Sequence, residues 1–470
     1  MKPLALTLPV VPVPAIAHAG ESSPNLSTSS FGIVALAFFI IAYGFVIAEE
    51  FTHLRKSKPM IVAAGVLWVL VALAWERQGI AGVADVLRHD LLEYGELLLF
   101  LLAAMTFVNT LAERNVFAAL RHWLVERGWT LRTIFWITGA MAFFLSPVLD
   151  NLTTALVMGA VVLATGRGNP AFIAPACINV VVAANAGGAF SPFGDITTLM
   201  VWQKGLLGFF EFFALFVPSL VNWLVPAFFM NLAIPRIRPH PHDEAGEIKS
   251  GGRTVIAIFA FTVIFTVALH QYLHLPPFLG MMTGLGILQI HGYFLRREEV
   301  RRARAAPAPE PPPGFKPAEK PFDIFISLKR AEWDTLLFFY GVVLSVGALG
   351  AFGYLALLSQ SSYESLGPTW ANILVGVASS IIDNIPVMFA VLSMGPDMSH
   401  GQWLLVTLTA GVGGSLLSIG SAAGVALMGQ ARGIYTFTAH LRWIWAVGLG
   451  YAASIGTHFL LNADTFAIDT

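Results

Sequence analysis

Long apolar segments separated by short polar connections run through almost the whole chain and leave it few ways to fold. Most of them approach or exceed the roughly 20 residues that an α-helix needs to cross a bilayer. Helices are favoured because unpaired backbone groups are too costly in hydrocarbon. Only 12% of the 470 residues are charged, against about 25% in soluble domains, and the mean hydropathy is +0.72. We therefore predict an all-α polytopic membrane protein.

The apolar segments form one series of six that occurs twice. In the first half they cover residues 31–49, 60–75, 91–112, 134–165, 171–203 and 206–234. In the second half they cover residues 253–271, 277–295, 333–357, 369–396, 402–429 and 443–461. In each half, polar residues or glycines interrupt the fourth and fifth segments. This order predicts two transmembrane repeats, at residues 31–234 and 253–461.

The fourth segment of each half contains the same polar motif, in which an aspartate and an asparagine follow four and five residues after a serine. The motif residues are Ser146, Asp150 and Asn151 in the first half and Ser379, Asp383 and Asn384 in the second. An ionised side chain at the bilayer centre costs about 3 kcal/mol or more. Pro147 and Pro386 lie beside the motifs, and a helix break there frees backbone carbonyls. These oxygens suit a small hard cation; the alternative is an Asp-Asn pair that only caps a helix.

The interruption of each fifth segment is rich in glycine and polar residues. The first stretch contains Asn185, Asp195, Thr197 and Thr198, and the second contains Ser418 and Ser421 between further glycines. Glycine and proline favour an unwound backbone whose carbonyls can act as ligands. Close helix packing through small residues is the competing interpretation. It fits the second stretch better than the first, because packing does not explain Asp195.

Membrane topology follows from the two interrupted segments and the basic residues. If each fourth segment is a re-entrant hairpin, each half crosses the membrane five times, and an odd number of crossings gives the halves opposite orientations. From an exported N-terminus, this topology places 23 of the 27 Lys and Arg residues in cytoplasmic loops, as the positive-inside rule requires. We therefore predict two inverted repeats, each with five membrane crossings, one re-entrant hairpin and one unwound helix.

The remaining segments complete the predicted organisation, with both termini periplasmic. They are a signal peptide (1–19), an exported N-terminal tail (20–30), a cytoplasmic loop (235–252), a Pro-rich cytoplasmic linker within the second repeat (296–332) and a C-terminal tail (462–470). The net charge of −1 gives no sign of nucleic-acid binding. The single cysteine, Cys177, lies in an apolar run and predicts neither a disulfide nor a cysteine metal site.

The motifs together resemble those of the NhaD-type sodium/proton antiporters of the ion transporter superfamily. The resemblance rests on Asp150 and Asn151 with the following threonines, on the glycine-rich stretch that ends at Asp195 to Thr198, and on Ser379 to Asn384. It covers the chain from residue 31 onward. The family implies two inverted repeats, an ion site between hairpin tips and unwound helices, a homodimer in the lipid bilayer of the bacterial inner membrane, and elevator-like alternating access.

Carried onto this sequence, the resemblance assigns the ion site residue by residue. The expected site residues are Ser146, Asp150, Asn151, Thr153, Thr154, Asn185, Asp195, Thr197, Thr198, Ser379, Asp383, Asn384, Ser418 and Ser421. Among these, Na+ is expected to bind at Asp150, Asn151, Asn185, Asp383 and Asn384. Glu96 and Asp334, near the ends of matching segments, are further candidates for a pH response, although interfacial charges are an equally good explanation for them.

These residues predict exchange of Na+ for H+ without a cofactor, with Li+ as a second candidate cation, because the cation and the proton compete for the same carboxylates. The first rival is an anion transporter of the same superfamily, such as a dicarboxylate symporter or an arsenite exporter. It predicts neutral hairpin tips or basic residues near the site, and the interrupted segments contain no Lys or Arg. The second rival, a membrane enzyme or sensor, predicts a nucleophile with its base, a metal cluster or a signalling domain, and the sequence shows none of these.

Overall fold

A computed structural model describes residues 25–166, 169–238, 247–305 and 322–467. Every regular element in these ranges is a helix, and ten of the helices are long and apolar enough to cross a membrane. The prediction of an all-α polytopic membrane protein is confirmed. The predicted signal peptide lies outside the described residues, as do most of the Pro-rich part of the linker and parts of the loop at 235–252 and of both tails.

In the first half, the described residues form ten α-helices. The fourth and fifth predicted segments are each broken into two helices. The helices are α1 (Ser30–Ile47), α2 (Glu49–Thr52), α3 (Ser57–Arg77), α4 (Val83–Glu113), α5 (Val116–Glu126), α6 (Leu131–Leu149), α7 (Asn151–Thr165), α8 (Pro170–Gly188), α9 (Ile196–Gln203) and α10 (Phe216–Ala233), the last preceded by a 3-10 turn at Glu211–Leu215. The breaks fall at Asp150 and between Gly188 and Ile196, where the polar motifs predict them.

The second half repeats this order. Its helices are α11 (Gly252–Leu273), α12 (Pro277–Ala305), α13 (Ile324–Lys329), α14 (Trp333–Ala351), α15 (Tyr354–Ser359), α16 (Pro368–Ala378), α17 (Asn384–Met394), α18 (His400–Gly413), α19 (Ala422–Gln430), α20 (Phe437–Leu441) and α21 (Ile444–Leu461). A π-helical turn, Gln360–Glu364, follows α15, and a 3-10 turn, Ala463–Phe466, follows α21. Breaks again separate α16 from α17 and α18 from α19.

Helix ends differ from the predicted segments mainly where polar residues extend a helix. Helix α4 begins at Val83, eight residues before the apolar segment, and Asp85 and Arg88 form an exposed ion pair on its first turns, 3.0 Å apart. Glu96 therefore lies inside a helix, whereas Asp334 lies in the first turn of α14, so these two residues do not occupy matching helix ends. Hydropathy does not detect such extensions because it counts only apolar residues.

Equivalent hydrogen bonds hold each hairpin against its broken helix. Ser146 Oγ donates to the Ala184 carbonyl at 2.6 Å, and Ser379 Oγ donates to the Ala410 carbonyl at 3.1 Å. The first bond joins α6 to α8, and the second joins the end of α16 to α18. Both serines are fully buried. The two serines of the sequence repeat thus perform the same structural task in both halves.

The helices form two groups. Each group combines a set of segments from the first half with the equivalent segments from the second half. In the first group α3 packs against α1 and α14, and α4 packs against α11, α12 and α14. In the second group, the hairpins α6–α7 and α16–α17 pack against α8 and α18, and α10 packs against α21. Contacts between the groups include α14 with α17 and α5 with α7. All residues of α18 from Gly401 to Gly413 are buried, so this broken helix lies at the centre.

Helix α5 follows α4 directly and has one buried and one exposed side. Leu124 is buried, whereas Trp123 is 45% exposed. Trp123 packs edge-on against Trp129. The guanidinium carbon of Arg127 lies over the Trp123 ring, 4.9 Å from the ring centre. Two aromatic rings and a cation on one exposed face are typical of a helix at a membrane interface.

Candidate functional site

Asp150 forms the break between α6 and α7. Its backbone adopts φ 66° and ψ 159°, a conformation that is costly for a residue with a Cβ atom. Its side chain caps α7, because Oδ1 accepts from the Thr153 N–H at 2.8 Å and Oδ2 accepts from Thr153 Oγ1 at 2.9 Å. The carboxylate at this hairpin tip is thus held at the N-terminus of a helix.

Asp195 has the corresponding role at the break between α8 and α9. Its Oδ1 accepts from the Thr197 N–H at 3.1 Å, which caps α9. Thr198 Oγ1 stabilises the turn by donating to the carbonyls of Ser191 and Asp195, at 2.8 and 2.7 Å. Asp195, Thr197 and Thr198 are all buried, and these local hydrogen bonds fix the Asp195 carboxylate.

Asp383 and Ser421 begin the two remaining half-helices. Asp383 caps α17 with Oδ1 3.4 Å from the Ile385 N–H, and Ser421 Oγ caps α19 at 3.3 Å from the Gly424 N–H. The N-termini of four helices therefore lie at the site, those of α7, α9, α17 and α19. Because each carries a partial positive charge, together they favour anionic side chains in a region where carboxylates are otherwise costly.

Asp195 connects the tips of both hairpins. Its Oδ2 accepts hydrogen bonds from Asn151 Nδ2 of the first hairpin and from Asn384 Nδ2 of the second, each at 2.9 Å. Asn151 Nδ2 also donates to Asn185 Oδ1 at 3.1 Å. The structure thus brings the two Asp-Asn motifs and the first unwound stretch into one cluster.

Asn185 lies behind this cluster, where it joins the two broken helices. Its Nδ2 donates to Ser415 Oγ at 2.8 Å and to Ser421 Oγ at 3.0 Å, while its Oδ1 accepts from Asn151. Asn185 is fully buried and both ends of its amide are engaged. This position suits a residue that orients Asn151 and Ser421.

A buried histidine supports the second unwound stretch. His440 Nε2 lies 2.9 Å from the Ser415 carbonyl, and its Nδ1 lies 2.9 Å from the Tyr435 hydroxyl. Since a carbonyl can only accept, Nε2 carries the proton and Nδ1 accepts from Tyr435. Burial lowers the pKa of His440 to about 4, which agrees with this neutral form. Sequence reasoning missed both Ser415 and His440, because neither has a distinctive spacing.

A cavity of about 250 Å³ lies between the two groups of helices and contains the aspartates. Its polar lining includes Lys56, Asn109, Asp150, Asn151, Thr153, Asp195, Glu332, Thr335, Asp383 and Asn384. Apolar residues such as Phe100, Met105 and Phe259 form much of the remaining wall. Oxygen atoms from carboxylates, amides and a threonine hydroxyl are ligands that a hard cation prefers, and the site is large enough for a partly hydrated ion.

Several predicted site residues lie outside this lining. Ser146 and Ser379 donate to backbone carbonyls. Thr154 and Ser418 are buried without a hydrogen-bond partner among the described residues. Glu96 on α4 lies near Glu93 of the same helix and near Lys204. Thr197, Thr198, Asn185 and Ser421 support the lining from behind. Asp334 accepts from Ser57 Oγ at the start of α3.

Lys56 is the cavity residue that sequence reasoning missed most clearly. It precedes α3 and lies in no interrupted segment, yet its Nζ is 3.0 Å from Asp383 Oδ2. The absence of Lys and Arg from those segments therefore did not mean that the site lacks a basic residue. No pattern in the sequence shows this contact, because Lys56 and Asp383 are far apart along the chain and meet only through tertiary packing.

Among the residues that the structure describes, no cluster of three or more His, Cys, Asp or Glu side chains is arranged to hold a metal ion. In the cavity, the side-chain amides of Asn151 and Asn384 donate to the carboxylate of Asp195, whereas Asp150 accepts from Thr153 and Asp383 accepts from Lys56.

Comparisons with known proteins found a matching family model and similar proteins that cover most of the chain. A family model described as a citrate transporter matches residues 30–411. The Na(+)/H(+) antiporter NhaD of Halomonas elongata is 53% identical over 479 residues, covering 99% of this chain and 96% of the relative. The protein of the same name from Vibrio cholerae is 54% identical and covers 94% of each chain. Sodium/proton antiporter 1 of Arabidopsis thaliana is 32% identical, covering 93% of this chain and 74% of the relative.

Proposed function

This chain belongs to the citrate transporter family and, within it, to the NhaD antiporters, and from that membership we propose that it exchanges Na+ for H+ across the bacterial inner membrane. Li+ is a second candidate cation. The observation that carries the proposal is the convergence of Asp150, Asp195 and Asp383 on one cavity. The protein is a secondary transporter rather than an enzyme, and exchange of these ions needs no cofactor.

Competition for the carboxylates would couple the two ions. An ionised aspartate within the membrane needs a compensating charge, which either Na+ or a proton supplies. Asp150, Asp383, Asn151 and Asn384 are the proposed Na+ ligands, with Asp195 between them. We propose that Asn185 positions these ligands from behind, because both ends of its amide are already hydrogen-bonded.

Alternating access is proposed to move one group of helices against the other. The hairpins and broken helices belong to the second group, so the ion site would travel with that group past α3, α4 and α14. In the predicted topology the cavity lies at the cytoplasmic ends of α3, α4 and α14, where Lys56, Asn109 and Glu332 line it. This arrangement corresponds to an inward-facing state of an elevator-like transporter, which we expect to work as a homodimer.

The decisive experiment measures Na+-dependent proton movement in proteoliposomes that contain only this protein. If the ions share carboxylates, lowering the pH protonates those groups and raises the apparent KM for Na+, while the maximal rate changes less. At high pH the site cannot reload protons, so turnover falls and the pH profile is bell-shaped. The acid limb is expected to move to lower pH as Na+ increases. A KM for Na+ that does not change with pH on the acid limb would refute direct competition.

Transport of a dicarboxylate or another anion is the second candidate, because the matching family model is described as a citrate transporter and Lys56 reaches the cavity. The charges of the lining argue against it. Asp150, Asp195, Asp383 and Glu332 line the cavity with a single lysine, and ionised carboxylates repel an anion. Uptake of labelled citrate in the same vesicles, with no Na+/H+ exchange, would favour this alternative.

A further inference from the structure

The ion pair between Lys56 and Asp383 joins the two groups of helices. Lys56 precedes α3 in the first group, whereas Asp383 is at the hairpin tip of the second group, and their side chains are only 17% and 12% exposed. We propose that Lys56 is a latch that holds the two groups together while Asp383 carries no transported ion. This inference rests on the proposed Na+/H+ exchange and adds a positioning residue to it.

The position of the ammonium group is fixed from several sides. Its Nζ lies 4.5 Å from the centre of the Phe338 ring on α14, a distance typical of a cation–π interaction. The next residue, Ser57, donates from Oγ to Asp334 in the first turn of α14. The start of α3 is therefore anchored to α14, and Lys56 remains with the first group whenever the second group moves.

Separating the ion pair without a replacement cation is unfavourable. It leaves the largely buried Asp383 carboxylate without its counter-charge, and removing one partner of a buried pair strongly destabilises a structure. Na+ bound at Asp383 occupies the place of the ammonium and removes this penalty. The hairpin is then released from α3, so the loaded carrier moves and the empty carrier does not.

Such a latch would prevent uncoupled transport. An exchanger that returned empty after releasing Na+ would dissipate the Na+ gradient without moving protons. In the second repeat, Pro276 occupies the position before α12 that Lys56 occupies before α3, and proline carries no charge. The latch therefore acts in only one of the two conformations, the one in which the hairpin tip of α16–α17 reaches the start of α3.

The test compares net Na+ efflux with Na+/Na+ exchange in proteoliposomes at alkaline pH and clamped membrane potential. Vesicles loaded with radioactive Na+ are diluted into buffer without Na+ for net efflux, or with Na+ for exchange. Wild type should show exchange but slow net efflux. In Lys56→Met, net efflux should approach the exchange rate, and the KM for Na+ should fall about threefold because the competing ammonium is absent. A merely structural lysine would raise the KM or lower both rates together.

Lys58→Met is the matched control, because Lys58 lies two residues after Lys56, in the first turn of α3, and is exposed; it should keep the wild-type ratio of net efflux to exchange. Lys56→Arg should restore most of the coupling. An unchanged ratio and KM in Lys56→Met would overturn the latch. Should Lys56→Met fail to insert, Lys56→Gln removes the same charge while keeping a polar side chain, and an unchanged ratio there overturns the latch equally. Wild-type protein without proton-coupled Na+ movement would instead refute the proposed function.

Discussion

Asp195 illustrates how one residue can join distant parts of the chain. Its Oδ1 caps α9, while its Oδ2 accepts from an asparagine of each hairpin tip. Because both asparagines depend on the same oxygen, a change at Asp195 alters the geometry of both motifs. The Asp-Asn repeat identified the two tips, but its two copies give no sign that a third aspartate lies between them.

The prediction at this scale is that Asp195→Asn reduces Na+/H+ exchange to background without unfolding the protein. The substitution retains size but removes the charge, and its amide nitrogen can no longer accept from Asn151 or Asn384. Asp150→Asn and Asp383→Asn should have comparable effects, because each removes a titratable charge from the cavity. The measurement is initial exchange rate in proteoliposomes, with thermal stability in detergent as the check on folding.

Asp85→Asn serves as the control for these variants, since Asp85 pairs only with the exposed Arg88 on the first turns of α4. It should transport like wild type. Normal turnover in all three cavity variants would leave helix capping as the sole role of these aspartates.

Glycines determine how closely each hairpin approaches its broken helix. A Cβ atom at Gly187 of α8 would lie 2.2 Å from the Phe143 carbonyl oxygen of α6, and one at Gly413 of α18 would lie 2.1 Å from the Gly376 carbonyl oxygen of α16. Phe143 and Gly376 each precede the motif serine by three residues. The same backbone contact therefore positions both hairpin tips, and only glycine fits there.

At the element scale, Gly187→Ala and Gly413→Ala are each expected to destabilise the protein by about 1–3 kcal/mol, the usual range for overpacking, and to lower transport. The clash is with backbone, so the hairpin must shift and carry its aspartate away from Asp195. The apparent KM for Na+ and the melting temperature test this. Gly65→Ala in α3 is the matched control, because nothing lies within 4 Å of its added Cβ; the expectation fails if all three variants behave alike.

At the scale of the whole molecule, the two repeats contribute equally to both groups of helices. The broken helices lie in the second group with both hairpins, and the connections before the hairpins emerge from the first group. If the repeats are inverted, equivalent connections lie on opposite sides of the membrane. Glu126, before the first hairpin, and Ser361, before the second, are exposed residues at equivalent places.

Single cysteines at these two positions should therefore react with a membrane-impermeant reagent from opposite sides, Glu126→Cys from the cytoplasm and Ser361→Cys from the periplasm. The only native cysteine, Cys177, is buried, so unmodified protein provides an unlabelled background in right-side-out and inverted vesicles. Labelling of both cysteines from the same side would mean that the repeats are parallel.

The sequence by itself determined the class of fold, the repeated order of segments and most of the residues at the hairpin tips. It did so because the bilayer imposes a length and polarity on every spanning helix, and because a carboxylate in an apolar segment is conspicuous. The breaks at Asp150 and Asp195 were visible for the same reason.

Only the tertiary structure decided which side chains meet. Lys56 and His440 lie in connections, and Ser415 lies in the second glycine-rich stretch without a feature that distinguishes it. All three reach the site because helices distant in sequence pack together. Likewise Ser146 and Ser379, which share a motif with the aspartates, donate to backbone carbonyls, because the helix breaks between each serine and its aspartate: the serine stays on the helix before the break, and the aspartate caps the helix after it.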